Sequence, residues 1–290
     1  MYLPLVVGVD GSEPSMRAVD WAADEAALHE VPLRLVHATL WGRYEGGGFA
    51  QEFSDHTELV TPRDILAAAA RRVRHRQTGL RLTTAVVPEE PEYVLIREGR
   101  NASAVVLGTR GRGGLAGALL GSVSLTVATH ADCPVVVVRG GADHPHHRSA
   151  GRGPARVVVG VCDIPTTAVR FACREARRRG VPLEAVRAWQ CHTHETPDHA
   201  PLTGEPDPSY EKLAAKELEA ALPTPPPGLT LRRRTAEGPA RQVLVTASHD
   251  AGLLVVGRRR PGHLGPRLGR VVHAVLHHAD CPVVVVPDEA

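Results

Sequence analysis

The chain has 290 residues, half of which is 145, so two ordinary domains could each bury a core. Hydrophobic residues make up 43% and charged residues 23%, which excludes a wholly disordered chain. The formal net charge of +2 gives no general case for nucleic acid or an anionic membrane as partner.

Leu3 to Val9 is an apolar, β-branched run and predicts a buried strand. Asp10-Gly11-Ser12 breaks it, and Ser12 is a candidate N-cap with Pro14 in the first turn. Val19, Ala22, Ala23 and Ala26 then form a helical stripe. Leu33 to Thr39 predicts a second strand, and Pro62 to Gln77 an amphipathic, Arg-rich helix. Leu80 to Val87 alternates as a third strand, followed by a short helix over Glu92 to Glu98. Ala104 to Leu107 is a fourth strand, Ser122 to Thr129 a helix, and Val135 to Val138 a fifth strand. Strands alternating with helices predict an α/β fold whose parallel sheet is covered on both faces. Ligands in such sheets sit at the carboxyl ends of the strands, so motifs are expected after strands one and four.

The second half repeats the first. Ala131-Asp132-Cys133-Pro134 and the four valines after it return from Ala279. Val31-Pro32-Leu33 returns at Val181, Val7-Gly8-Val9 at Val159, and Val105-Val106-Leu107-Gly108 as Leu254-Val255-Val256-Gly257. Offsets stay between 148 and 152, which describes a tandem duplication of whole domains. Gly140 to Pro154 is rich in Gly, His, Pro and Arg, so domains are expected at 1–140 and 155–290 with a linker at 141–154.

Other features narrow the function. No apolar run approaches the ~18 residues of a membrane span, and the opening MYLPLVVGVD lacks the basic flank and long apolar core of a signal peptide. Cys133, Cys162, Cys173, Cys191 and Cys281 are scattered and form no CxxC pair, which points to a reducing cytoplasm. Lys212 and Lys216 are the only lysines, so the first half can hold no P-loop or Schiff-base lysine. A Gly-x-Ser-x-Gly elbow is absent. The second strand ends in Ala38-Thr39-Leu40-Trp41, without the acidic residue a nicotinamide site requires. The histidines fall in separate places and predict no metal site; His37 and His130 read as structural. The repeated cysteines Cys133 and Cys281 read as small packed residues.

After strand four the sequence runs Gly108-Thr109-Arg110-Gly111-Arg112-Gly113-Gly114, then Gly121-Ser122-Val123-Ser124, a Gly-x2-Gly-x9-Gly-Ser spacing. Glycines let backbone N–H groups approach an anion, and a helix opening at Ser122 favours phosphate there. Arg110 and Arg112 add positive charge. A surface loop that binds nothing would look similar.

Together with Val7-Gly8-Val9-Asp10-Gly11-Ser12 and Asp132-Cys133-Pro134-Val135, this loop resembles the nucleotide-binding signature of the universal stress protein family, one family domain per half. The resemblance implies two Rossmann-like domains, each a five-stranded parallel sheet of order 3-2-1-4-5 flanked by helices. It implies ATP, with Mg²⁺ bridging phosphate oxygens, across the ends of strands one, two and four. Gly8, Val9 and Asp10 would line the adenosine pocket, and Ala38 would face adenine. Gly108 would lie by the ribose, while Gly111, Gly121, Ser122, Val123 and Ser124 would hold the phosphates. Asp10 also has a plain reading, as a helix-start residue beside Ser12. Last-strand pairing, either between the two domains as a pseudo-dimer or in a homodimer, is a further implication.

The second half departs from this pattern. Arg260 replaces the second loop glycine, Arg270 replaces the motif serine, and Cys162 stands where Asp10 did, with Asp163 next. Arg258, Arg259, Arg260, Arg267 and Arg270 crowd the corresponding place, so ATP binding is expected in the first half only. The expected role is a nucleotide-responsive regulatory module of the stress response with an unidentified protein partner. A slow ATPase or nucleotidyl-transferring enzyme, or a scaffold without nucleotide, are the alternatives.

Overall fold

Short runs of valine and leucine alternate with alanine-striped helices along the whole chain, and each pair of elements closes one parallel crossover. The computed structural model describes residues 3–40, 61–109, 120–139, 156–162, 166–190, 208–258 and 268–288. These fall into two compact units, 3–139 and 156–288.

The first unit runs β1 (Leu5–Gly8), α1 (Glu13–Leu28), β2 (Leu33–Ala38), α2 (Pro62–Arg76), β3 (Leu82–Val87), α3 (Pro91–Gly99), β4 (Ala104–Gly108), α4 (Ser122–His130) and β5 (Val135–Val138). Its sheet has the order β3-β2-β1-β4-β5, parallel throughout. β1, β4 and β5 are almost wholly buried, as continuous apolar runs require, whereas β3 at the edge alternates between half-buried and exposed. The expected strand and helix limits hold within two residues.

Helix starts follow from local chemistry. Ser12 caps α1, and Pro14 sits in its first turn. Thr61 and Asp64 form a reciprocal capping box on α2. The Thr61 hydroxyl and backbone N–H hold the Asp64 carboxyl below its usual range. α2 is then clasped to α1 by two guanidinium–carboxylate forks. Arg72 Nε and Nη2 each lie 2.6 Å from Asp20, and Arg76 Nε and Nη2 each lie 2.7 Å from Asp24.

The second unit runs β6 (Arg156–Gly160), α5 (Thr167–Arg179), β7 (Leu183–Trp189), α6 (Pro208–Ala221), β8 (Leu231–Glu237), α7 (Ala240–Ser248), β9 (Ala251–Arg258), α8 (Arg270–His278) and β10 (Val283–Pro287). Its parallel sheet has the order β8-β7-β6-β9-β10, the same winding as the first. Among the described residues no helix is long and apolar enough to cross a membrane.

Candidate functional site

All strands of the first unit point the same way, so the carboxyl ends of β1, β2 and β4 share one edge of the sheet. α1 and α4 begin at that edge. The Ser12 Oγ accepts from the Ser15 N–H at 3.3 Å and fixes the start of α1. Asp10 lies in the same turn, where its Oδ1 accepts from the Ser12 N–H at 2.9 Å and the Ser12 hydroxyl at 2.6 Å. Its Oδ2 takes no hydrogen bond among the described residues. The plain helix-start role of Asp10 is thus present, and one carboxylate oxygen is left over for another partner.

Gly108 ends β4 against α1. A Cβ there would sit 2.6 Å from the Pro14 carbonyl carbon and oxygen and 2.9 Å from Ser15 N, so only glycine lets the strand end meet the helix backbone. Gly8 has a packing reason of its own: a Cβ would lie 2.6 Å from Leu107 Cδ2 and 3.1 Å from Leu95 Cδ1. Gly108 is therefore required by the fold, whatever binds beside it, whereas the atoms crowding Gly8 are leucine side-chain ends that can shift.

Gly121 is the N-cap of α4 and offers no side-chain cap. Its N–H donates to the Thr109 carbonyl at 2.7 Å, which closes the base of the glycine-rich loop. Arg110, Gly111 and Arg112 lie outside the described residues. The first-turn N–H groups of α4 have no intrahelical acceptor and carry the positive end of the helix dipole. Ser122 is exposed there and Val123 half-buried. Ser124 is buried, and its hydroxyl donates to the Gly108 carbonyl at 2.7 Å. That side chain braces α4 against β4; only Ser122 has a hydroxyl turned to solvent.

Val9 and Ala38 complete the edge. Val9 is buried, and Ala38, half-buried, ends β2 opposite Val87. His37 Nδ1 lies 2.7 Å from the Val9 carbonyl, which can only accept, so Nδ1 carries the proton and ties β2 to the end of β1. His130 is likewise structural, with Nδ1 2.9 Å from the Thr126 carbonyl one turn back. The sequence reading missed Ser15, whose hydroxyl donates to the Ser12 carbonyl at 2.9 Å, and it missed the brace made by Ser124. Ser15 was findable as the third residue after a serine cap; Ser124 was not, since its partner lies across the loop.

The same edge of the second unit is altered. Gly160 repeats the contact of Gly8, with a Cβ position 2.8 Å from Leu244 Cδ1. Gly257 does not repeat Gly108: the nearest atom to its Cβ position is Ala168 Cβ at 3.5 Å. β9 continues through Gly257 to a buried Arg258, paired with Pro287 of β10. Arg270, exposed, opens α8 in place of Ser122, and Val272 replaces the bracing Ser124. Cys162 is exposed where Asp10 stood; Asp163, Arg259, Arg260 and Arg267 lie outside the described residues. Cys133 and Cys281 are buried, and burial pushes the Cys281 thiol up to about 12, so it stays protonated at neutral pH and reacts poorly.

The sequence profile of the universal stress protein family matches residues 1–139 and again 155–287. The chain belongs to the universal stress protein family. A universal stress protein of Mycobacterium tuberculosis is 33% identical over 308 residues, covering 98% of this chain and 94% of its own. Another from the same organism is 35% identical over 298 residues, covering 97% and 96%. Two tandem domains are therefore shared with these relatives over nearly their full length. The crystal structure of a universal stress protein from Archaeoglobus fulgidus shares the fold, with a TM-score of 0.66 at 16% identity and 98% coverage of both chains.

Proposed function

We propose that the first unit of this universal stress protein binds an adenine nucleotide, ATP with Mg²⁺, and works as a cytoplasmic, nucleotide-responsive regulatory module. The observation that carries the reading is the convergence of three features on one sheet edge. The β4 end rests on the α1 backbone at Gly108, α4 starts there without a side-chain cap, and Asp10 keeps one carboxylate oxygen open. This donor set fits a nucleotide. First-turn N–H groups and the Ser122 hydroxyl suit phosphate oxygens, and a carboxylate oxygen suits a sugar hydroxyl. When bound, Mg²⁺ would neutralise phosphate charge, held mainly by the phosphates themselves, since it keeps several waters and needs few protein ligands. Gly8, Val9, Ala38 and Gly108 would line the nucleoside side, with Arg110, Gly111, Arg112, Gly121, Ser122, Val123 and the Ser124 backbone on the phosphate side.

Turnover is slow or absent in this reading. Asp10 has its Oδ1 already engaged by Ser12, and Glu13 at the start of α1 pairs with Arg17, which is a poor arrangement for activating water. The second unit does not bind nucleotide in this way, because Arg270 and Val272 remove both hydroxyls of the motif. The test is calorimetric titration of the whole chain, freed of carried-over nucleotide, with ATP and Mg²⁺, alongside assay of released phosphate. One site per chain is expected, weakened at least ten-fold in Gly121→Ala and Asp10→Ala, with negligible phosphate release. Two equal sites would overturn the assignment of the second unit, and no binding would leave a scaffold.

A further inference from the structure

The first unit has a second concave place, at the amino ends of β2 and β3 and so at the opposite end of the sheet from Gly108. There the carboxyl end of α1 and the turn between α2 and β3 enclose a cleft of about 290 Å³. Its floor is apolar, made by Ala26, Ala27, Val31 and Leu80. Its rim carries one carboxylate, Glu30, and one guanidinium, Arg81, both exposed. Among the described residues neither side chain makes a hydrogen bond or ion pair, so the two charges do not neutralise each other. Gln77 joins them at the rim; its Nε2 donates to Asp24 at 3.0 Å, which leaves the amide oxygen to accept.

Glu30 holds its backbone at a φ of 55°, in the left-handed region that favours glycine, and no other non-glycine among the described residues does so. The same turn recurs in the second unit. The Glu30 N–H donates to the Ala27 carbonyl at 3.2 Å and the Val31 N–H to Ala26 at 3.0 Å; Gly180 and Val181 donate likewise to Arg177 and Ala176 at 3.1 and 3.0 Å. Gly180, with a φ of 63°, is the residue this geometry prefers. The Leu33 N–H donates to the Arg81 carbonyl at 2.8 Å as the Leu183 N–H does to Thr230 at 2.9 Å, so Thr230 stands for Arg81. By the same count Pro226 stands for Gln77. The turn and the strand start are thus common to both units, whereas the three polar side chains of the rim occur only in the first. A carboxylate kept where glycine would sit without strain points to a task for that carboxylate.

We propose that this cleft binds a free α-amino acid with an aliphatic side chain. The ligand carboxylate pairs with Arg81, its ammonium with Glu30 and the Gln77 amide oxygen, and its side chain lies on the floor of Ala26, Ala27, Val31 and Leu80. Carbonyl groups at the carboxyl end of α1 add negative potential beside Glu30, which favours the ammonium there. Only a zwitterion answers both rim charges at once. A fatty acid leaves Glu30 unanswered, and an amine leaves Arg81 unanswered. The volume lies at the small end of the range for ligand pockets, which suits a single amino acid. This site is independent of the nucleotide reading.

The probe is L-leucine, titrated into the full chain carrying isotope-labelled glycine, with the Gly79 amide at the cleft as the nuclear magnetic resonance reporter. Saturable shifts with a Kd of about 1 mM or tighter are expected. L-leucinamide, which lacks the carboxylate, and isocaproate, which lacks the ammonium, should each bind about ten-fold more weakly. The second unit supplies the variants. Arg81→Thr should lose the preference for leucine over leucinamide, and Glu30→Gly the preference for leucine over isocaproate. Glu30→Gly should also raise the thermal midpoint by about 2 °C, because glycine relieves the left-handed backbone, so its weaker binding is not a loss of folding. No saturable Gly79 shift up to about 20 mM leucine, equal affinity of the parent for the three ligands, or an unchanged preference in either variant would overturn the proposal. So would N-acetyl-leucinamide binding as tightly as leucine, which would make the cleft an apolar seat for a peptide segment.

Discussion

Ser122 and Ser124 lie two residues apart on the first turn of α4, yet their hydroxyls face different surroundings. The Ser122 side chain is exposed at the helix start, while Ser124 is buried and donates to the Gly108 carbonyl. Ser122→Ala should therefore weaken ATP binding and leave thermal unfolding unchanged within error. Ser124→Ala should leave the Gly108 carbonyl without its buried donor, at a cost of about 1–2 kcal/mol in stability. Its effect on affinity should follow that loosening, and Ser124→Thr should recover most of both. Denaturant unfolding and calorimetry on the same samples separate the two serines; equal loss of stability in both variants would contradict the division. Both residues are legible in the sequence as neighbours at a helix start, but their directions are not. The face that Ser124 turns to is set by where β4 ends, sixteen residues earlier in the chain.

At the scale of elements, the strands were legible because a buried parallel strand is a continuous apolar run between breakers, and valine runs such as Val135–Val138 have no other comfortable place. The cap of α1 was legible because Ser12 and Pro14 act on their own neighbourhood. The clasp between α1 and α2 was not, since its partners stand 52 residues apart and each reads alone as a solvated charge. Its energetic weight can be measured. Asp20 is almost fully buried and takes both nitrogens of the Arg72 fork, so Asp20→Ala should cost about 1–3 kcal/mol. Arg76–Asp24 is more exposed, and Asp24→Ala should cost under about 1 kcal/mol. A double-mutant cycle of Asp20→Ala with Arg72→Ala should give a coupling above that of Asp24 with Arg76. Equal couplings would mean that burial adds nothing to the inner fork.

At the scale of the molecule, duplication has kept the winding of the sheet and released the chemistry at its edge. The close approach of a helix leucine to Gly8 recurs at Gly160, where Leu244 stands for Leu95, and the paired cysteine-proline starts of β5 and β10 recur with it. The tight β4–α1 approach at Gly108 has relaxed at Gly257, and the bracing serine has become Val272. Packing positions repeat because each core must close on its own, whereas the edge positions differ between the two units. Expressed separately, residues 1–139 and 155–287 should each give the circular dichroism of an α/β domain, because each unit holds a complete five-stranded sheet. Only the first should bind ATP, with an affinity within a few-fold of the whole chain if the edge residues described in that unit suffice. A first half that folds but binds only when the second is added back would show that the site is completed from outside its own unit. A second half that binds alone would show that Arg270 and its neighbours replace the lost serines with an anion site of their own.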